Sequence, residues 1–157
     1  MKITLLTVGK TDRGYLKEGI DMYCGRIGHY AAFRMIEIPD VKGASSLSRA
    51  QIKEKEADNV FKYIKPADEV VLLDEHGKEY DSLGWASKLE ERFLHDTRDM
   101  VFVIGGPYGF SSRLYDRAGS MISLSRMTFS HQLVRLVFLE QLYRAFTIMK
   151  GEPYHHE

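Results

Sequence analysis

The chain has 157 residues, 44% hydrophobic and 28% charged, enough for one substantial core and too few for two ordinary domains, so residues 1–157 are expected to form a single domain. Lysine plus arginine and aspartate plus glutamate each total 22, which leaves no overall field to attract a polyanion and confines any nucleic-acid site to a local basic patch. No apolar run reaches the ~20 residues that span a bilayer, Met1-Lys2 leads into a strand-like run rather than a signal peptide, and the single Cys24 excludes an intrachain disulfide, so a cytoplasmic protein without membrane association is expected.

Lys2–Val8 is a short β-prone run closed by Gly9, the first predicted strand. From Asp12 to about Gly28, Leu16, Ile20, Tyr23 and Ile27 recur at helical spacing and predict one buried face. Phe33–Ile38 reads as a second strand ended by Pro39-Asp40. Lys42–Ser48, rich in Gly and Ser, is a surface loop leading to a helix capped by Ser46 or Ser48. In that helix Ala57, Val60, Phe61 and Ile64 form the inward stripe, Lys53 to Glu56 face water, and Pro66 stops it.

Glu69–Leu73 is a third strand, apolar enough to be covered on both faces, followed by a turn at His76-Gly77. Ser82 is expected to cap a helix with Ala86, Leu89 and Phe93 inward. Met100–Ile104 is a fourth strand ending at Gly105-Gly106, Ser111–Ala118 a short helix and Met121–Leu124 a short fifth strand. His131–Lys150 is a long helix started by Ser130 and stopped by Gly151. Such alternation predicts an α/β fold, a mostly parallel sheet flanked by helices. The last helix is apolar around much of its circumference, more than one sheet face can cover, and its spare face is expected to meet a second copy in a two-fold homodimer.

Ligands of open α/β sheets gather beyond the carboxyl ends of strands. Three such ends stand out: Leu73-Asp74-Glu75, Gly105-Gly106-Pro107-Tyr108-Gly109 and Leu124-Ser125-Arg126-Met127-Thr128-Phe129. Glycine at a strand end lets main-chain groups approach a planar base, although a tight turn into a helix also accounts for Gly105–Gly109. Neither G-x-x-x-x-G-K-[ST] nor G-x-G-x-x-G is present, which disfavours nucleoside triphosphates and dinucleotides. His131, His155 and His156 lack companion ligands at metal spacing, so no metal site is expected. From Arg126 to Lys150 the chain carries Arg126, Arg135, Arg144 and Lys150 against Glu140 alone, a locally basic segment that scattered solvated charges would also explain. Glu140 and Arg144 have the spacing of a helix-surface pair.

Taken in order, M-K-I-T-x-L-x-V-G-K, E-I-P-D, V-I-G-G-P-Y-G, L-S-L-S-R-M-T-F, H-Q-L-V-R, E-Q-L-Y-R-A-F and the closing G-E-P-Y-H closely resemble the ribosomal RNA large subunit methyltransferase H family of SPOUT proteins, over nearly the whole chain. The resemblance implies a C-terminal trefoil knot, which periodicity does not show and which general rules against threaded loops would argue against. It implies a homodimer that uses S-adenosylmethionine to methylate N3 of a pseudouridine in the helix 69 stem-loop of 23S rRNA, on assembled ribosomes. The methyl donor is then expected against Leu73, Gly105 and Leu124, Ser125, Arg126, Met127, Thr128 and Phe129. For the reaction, His155 has the intrinsic chemistry of a general base. Tyr154 would stack on or hydrogen-bond the base, and Arg135 and Arg144 would bind phosphate or a uracil carbonyl.

Two positions depart from the family pattern. Ser130 stands where proline is usual and can instead cap the following helix. His156-Glu157 stands where a single basic residue is common. A non-catalytic ribosome-binding factor on the same scaffold, and a related enzyme methylating tRNA or a ribose 2′-hydroxyl, are the competing expectations.

Overall fold

The computed structural model describes residues 1–156; Glu157, one of the two atypical terminal residues, lies outside the described residues. Strands and helices alternate as β1 (Lys2–Val8), α1 (Tyr15–Ile27), β2 (Ala32–Ile38), α2 (Arg49–Phe61), β3 (Glu69–Glu79), α3 (Ser82–His95), β4 (Met100–Ile104), α4 (Ser112–Arg117), β5 (Ser120–Ser123) and α5 (Leu133–Met149). The strands form one sheet in the order β2-β1-β4-β3-β5, and every pairing is parallel. Leu73 of β3 is in register with Ile104 of β4 and Ile122 of β5, so the carboxyl ends of these three strands are level.

Side chains alternate across the sheet because the strand period is two. Ile3, Leu5, Val71, Phe102 and Ile104 pack against α1, α3 and α5, whereas Leu6, Val70, Leu72, Val101 and Val103 pack against α2 and α4. Helix α5 lies between α1 and α3. Its Phe138 ring stands 4.9 Å from that of Phe102, centroid to centroid, and both are buried. Each such ring contributes about 1.5–3 kcal/mol by leaving water.

Capping explains the helix limits. Ser48 and Gln51 form a reciprocal capping box at the start of α2. Ser130 Oγ accepts from the Leu133 N–H at 3.0 Å, and its carbonyl accepts from Val134 at 3.0 Å, so the atypical serine starts the turn that feeds α5. Gly151, at φ 67°, ends α5 in a left-handed conformation, with the Glu152 N–H donating to the Thr147 carbonyl at 2.9 Å.

Four expectations are corrected. His76-Gly77 is not a turn: β3 continues to Glu79, with a register shift between Leu73 and Lys78 that lets Lys78 pair with Ile122 again. Gly77 permits this, because a Cβ there would stand 2.7 Å from backbone atoms of Met121 and Ile122. Asp81, not Ser82, caps α3, its carboxylate accepting from the Gly84 N–H at 2.7 Å. Glu56 does not face water. It is buried on α2 beside the Gly106 backbone. Ile64 lies past the end of α2, which stops at Phe61.

Candidate functional site

The level ends of β3, β4 and β5 open into a cleft of about 610 Å³. Its walls are three chain segments: Leu73 to His76 from β3, Ile104 to Phe110 after β4, and Ile122 to His131 without Arg126, closed by Val134 at the start of α5. The sequence-predicted ligand residues Leu73, Gly105, Leu124, Ser125, Met127, Thr128 and Phe129 therefore share one cleft. Ser125 shapes the last wall. Its carbonyl accepts from Ser123 Oγ and its own Oγ accepts from the Met127 N–H, both at 2.9 Å. Arg126 does not line the cleft. Its side chain is 87% exposed and reaches only Glu79, at 3.8 Å.

Asp74 is a wall residue that sequence reasoning noted only as part of a strand end. Its side chain is 9% exposed, and its Oδ2 accepts from Tyr115 Oη at 2.5 Å. Its Oδ1 faces the His76 N–H at 2.8 Å and the His76 ring Nδ1 at 3.1 Å. Burial pushes the Asp74 carboxyl up, but the hydrogen bonds from Tyr115 and His76 outweigh it and leave the group below the ordinary carboxylate value. Burial, together with the same contact, pushes the Tyr115 phenol up to about 12. The cleft lining carries Asp74 and Glu75 but no lysine or arginine.

A second cluster forms at the other end of α5. Glu140 Oε1 accepts from Arg144 Nη2 at 2.6 Å, from Arg144 Nε at 3.1 Å and from Tyr154 Oη at 3.1 Å. Arg144 Nη1 and His155 Nδ1 are 2.9 Å apart; the guanidinium can only donate, so Nδ1 accepts. The guanidinium also lies 4.8 Å over the Tyr154 ring. Helix α1 and its following turn anchor this tail: Tyr23 Oη lies 3.3 Å from Tyr154 Oη, and Tyr30 Oη donates to Glu152 at 2.7 Å. Burial, with the hydroxyl contacts to Tyr23 and Glu140, pushes the Tyr154 phenol well above its usual value. Three predicted reaction residues, Arg144, Tyr154 and His155, are thus brought together. They do not line the cleft, since Arg144 lies ten residues beyond Val134, roughly 15 Å along the helix.

Arg135 is not with them, and its expected role is corrected. The side chain is fully buried and spends its donors on its own chain: Nη2 on the Val8 carbonyl at 2.8 Å, Nη1 on the Gly9 carbonyl at 2.9 Å and Thr11 Oγ1 at 3.0 Å, and Nε on the His131 carbonyl at 3.1 Å. A guanidinium so enclosed cannot meet RNA. The segment before α5 is pinned further by Gln132, which donates to the Lys10 carbonyl and accepts from the Asp12 N–H.

Residues 1–155 match the predicted SPOUT methyltransferase family. Ribosomal RNA large subunit methyltransferase H of Parabacteroides distasonis is 52% identical over 157 residues, the whole of both chains, and that of Porphyromonas gingivalis is 50% identical over the same span. The chain belongs to this methyltransferase family. A probable methyltransferase from Bordetella pertussis shares the fold at a TM-score of 0.57 and 8% identity, covering 92% of this chain and 93% of that one.

The cleft fits the methyl donor of a SPOUT methyltransferase. Its volume suits a nucleoside-sized ligand. Ile104, Ile122, Leu124 and Val134 offer apolar surface to a base, and the acidic wall suits a cation better than a polyphosphate. Among the described residues no group of three or more His, Cys, Asp or Glu side chains is placed to hold a metal ion, and no helix is long and apolar enough to cross a membrane. Sequence reasoning missed Asp74, Tyr115, Tyr23 and Tyr30 as site-building groups. Only the strand-end position of Asp74 signalled any of them.

Proposed function

We propose that this chain methylates N3 of a pseudouridine in the helix 69 loop of bacterial 23S rRNA, taking the methyl group from S-adenosylmethionine and acting on the assembled ribosome in the cytoplasm. The observation that carries the reading is the cleft at the level ends of β3, β4 and β5, lined by Leu73, Gly105, Leu124, Ser125 and residues 127–129, in a chain half identical to large subunit methyltransferase H proteins over its full length. When bound, S-adenosylmethionine supplies a sulfonium methyl group open to in-line displacement by nitrogen. Leu73, Gly105, Leu124, Ser125, Met127, Thr128 and Phe129 would hold it, while Arg126, exposed on the same loop, would remain available to RNA.

The protein's own part is positioning and proton transfer. Tyr154 offers an aromatic face to a base, and Glu140 fixes Arg144 beside it. His155 takes the N3 proton at Nδ1, the atom that meets Arg144 in the isolated chain; a phosphate that draws Arg144 away releases it. Because Arg144 lies roughly 15 Å along α5 from the cleft of its own chain and neither Tyr154 nor His155 lines that cleft, a homodimer is the economical way to unite them. Leu133, Val134 and Val137 give α5 an apolar, partly exposed face for that contact. The trefoil knot of the family is proposed for the C-terminal part of the fold, and the whole chain is proposed to act as a single domain.

The test is methyl transfer to ribosomes from a strain lacking the activity, with free 23S rRNA in parallel. Mass spectrometry of the digested RNA should locate a new methyl group on N3 of the pseudouridine. A methyl group on a ribose, on tRNA or nowhere would reject the proposal.

A further inference from the structure

The charge of the cleft is one-sided. The Asp74 side chain is 9% exposed, ionised at neutral pH and hydrogen-bonded through both oxygens to the neutral donors Tyr115 Oη and the His76 N–H. The His76 ring beside it, with Nδ1 3.1 Å from Oδ1, is 78% exposed. Glu75 adds a second negative charge at the rim, and His131 on the opposite wall is the other titratable base of the lining. Among the described residues no lysine or arginine forms an ion pair with Asp74, in contrast to Glu69, which is held by Arg92 and Arg98, and Asp96, which is held by the same two residues. Tyr115 on α4 holds the carboxylate in place but contributes no charge.

A carboxylate without a lysine or arginine partner, in a partly dehydrated wall, interacts with the charge of whatever enters. The donor and product of methyl transfer differ in that respect. S-adenosylmethionine carries a sulfonium cation, and loss of its methyl group leaves S-adenosylhomocysteine as a neutral thioether. Both keep the same adenosine and the same amino-acid end. Contacts to those shared parts change the affinity of both molecules equally, whereas a fixed negative charge favours only the sulfonium.

We propose that Asp74 is a specificity-determining residue that makes the cleft distinguish methyl donor from spent product by charge. The inference rests on the cofactor cleft proposed above. It gives Asp74 a role in product release: once the methyl group leaves, the attraction that held the sulfonium leaves with it, and the thioether is bound by the remaining contacts alone.

The test is isothermal titration of the full-length protein at pH 7.5 with three ligands: S-adenosylmethionine, S-adenosylhomocysteine and sinefungin, whose amine carries a positive charge in the place of the sulfonium. Asp74→Asn keeps the size of the side chain and an oxygen for Tyr115. It should weaken binding of the two cationic ligands about tenfold while leaving S-adenosylhomocysteine within about twofold, as expected for one unit charge across a partly solvated cleft. Tyr115→Phe removes a hydrogen bond but no charge, and should leave the preference between cation and thioether unchanged. If Asp74→Asn weakens all three ligands by one factor, Asp74 acts through shared contacts and the inference is overturned. Loss of the preference in Tyr115→Phe would overturn it too, by making the hydrogen bond the source of selectivity. Failure of the wild-type protein to bind any of the three would instead reject the cofactor cleft itself, and the inference with it.

Discussion

Arg135 Nη1 and the Gly9 carbonyl oxygen meet at 2.9 Å inside the protein, joining the start of α5 to the end of β1 across 126 positions of sequence. The same side chain holds the Val8 and His131 carbonyls. His131 lines the cleft, so the wall that ends in α5 is tied through Arg135 to the first strand of the sheet.

Replacing Arg135 with alanine would leave several buried carbonyls without donors, at about 1–3 kcal/mol each. Arg135→Ala is expected to lose about 3 kcal/mol or more in urea denaturation. Arg135→Lys should recover only part of this, because a point charge cannot serve three carbonyls arranged for a planar fork. Full recovery by lysine would show that charge alone is required.

Glu56 gives a pH-dependent prediction. Burial, with a smaller contribution from the Asp40 charge, pushes its carboxyl from 4.5 up to about 7. The folded state therefore holds the proton more tightly than the unfolded state, and stability falls as pH rises from about 4.5 to about 7. Glu56→Gln removes that loss. The variant should match the wild type below pH 4.5 and exceed it by about 3 kcal/mol above pH 7, measured by thermal melts across the range. A constant difference at all pH values would contradict the buried, protonated carboxyl.

Gly77→Ala should force β3 and β5 apart, because the new Cβ would stand 2.7 Å from main-chain atoms of Met121 and Ile122 that have no side-chain freedom with which to yield. A loss of about 2–3 kcal/mol is expected, a drop in Tm of roughly 5–10 °C. Weaker binding of S-adenosylmethionine should accompany it, since Ile122 and Ser123 line the cleft.

His155→Ala should lower the rate of methyl transfer about 100-fold, the ordinary worth of a positioned general base. Binding of S-adenosylmethionine should change far less than the rate, because the imidazole is assigned to the N3 proton and not to holding the donor. Tyr154→Phe retains the aromatic face and loses the hydrogen bonds to Glu140 and Tyr23, so a smaller loss, about tenfold, is expected. Single-turnover kinetics on ribosomes separates the two effects. Wild-type rates in both variants would remove the tail from the mechanism.

Val137→Glu places a charge on the partly exposed apolar face of α5 and should convert the proposed dimer to a monomer in light scattering, without loss of helix by circular dichroism. A variant that remains dimeric would move the interface elsewhere.

The order of elements was legible because each carries its own local signal. β1 and β4 have the bounds expected from short apolar runs ended by glycine, and Ser48 announces α2 through its own side chain. The cleft was legible for a related reason, since a parallel sheet gathers its ligand-bearing loops at strand ends and those loops contain Leu73, Gly105 and residues 124–129. Asp81 was missed as a cap because it precedes Ser82, an equally good capping residue by composition, and only backbone geometry separates the two. Glu56 was missed because periodicity assigns a carboxylate to water by residue type, although its position on α2 is turned toward the sheet.

What the amino-acid sequence determined by itself was the alternating parallel α/β architecture, the strand-end loops and the family, all of which follow from near-neighbour patterns along the chain. What only the tertiary structure decided was the company each polar side chain keeps. Arg135 and Arg144 are both arginines on one helix, yet one is enclosed by carbonyls from β1 while the other lies beside Glu140, Tyr154 and His155. That difference depends on which face of α5 meets α1, α3 and the sheet. The Val8 and Gly9 carbonyls reach Arg135 from more than a hundred positions away, whereas Arg144 is met by Glu140 one turn back and by a tail that the fold returns to α5, and only the first of those two neighbours is written in the spacing.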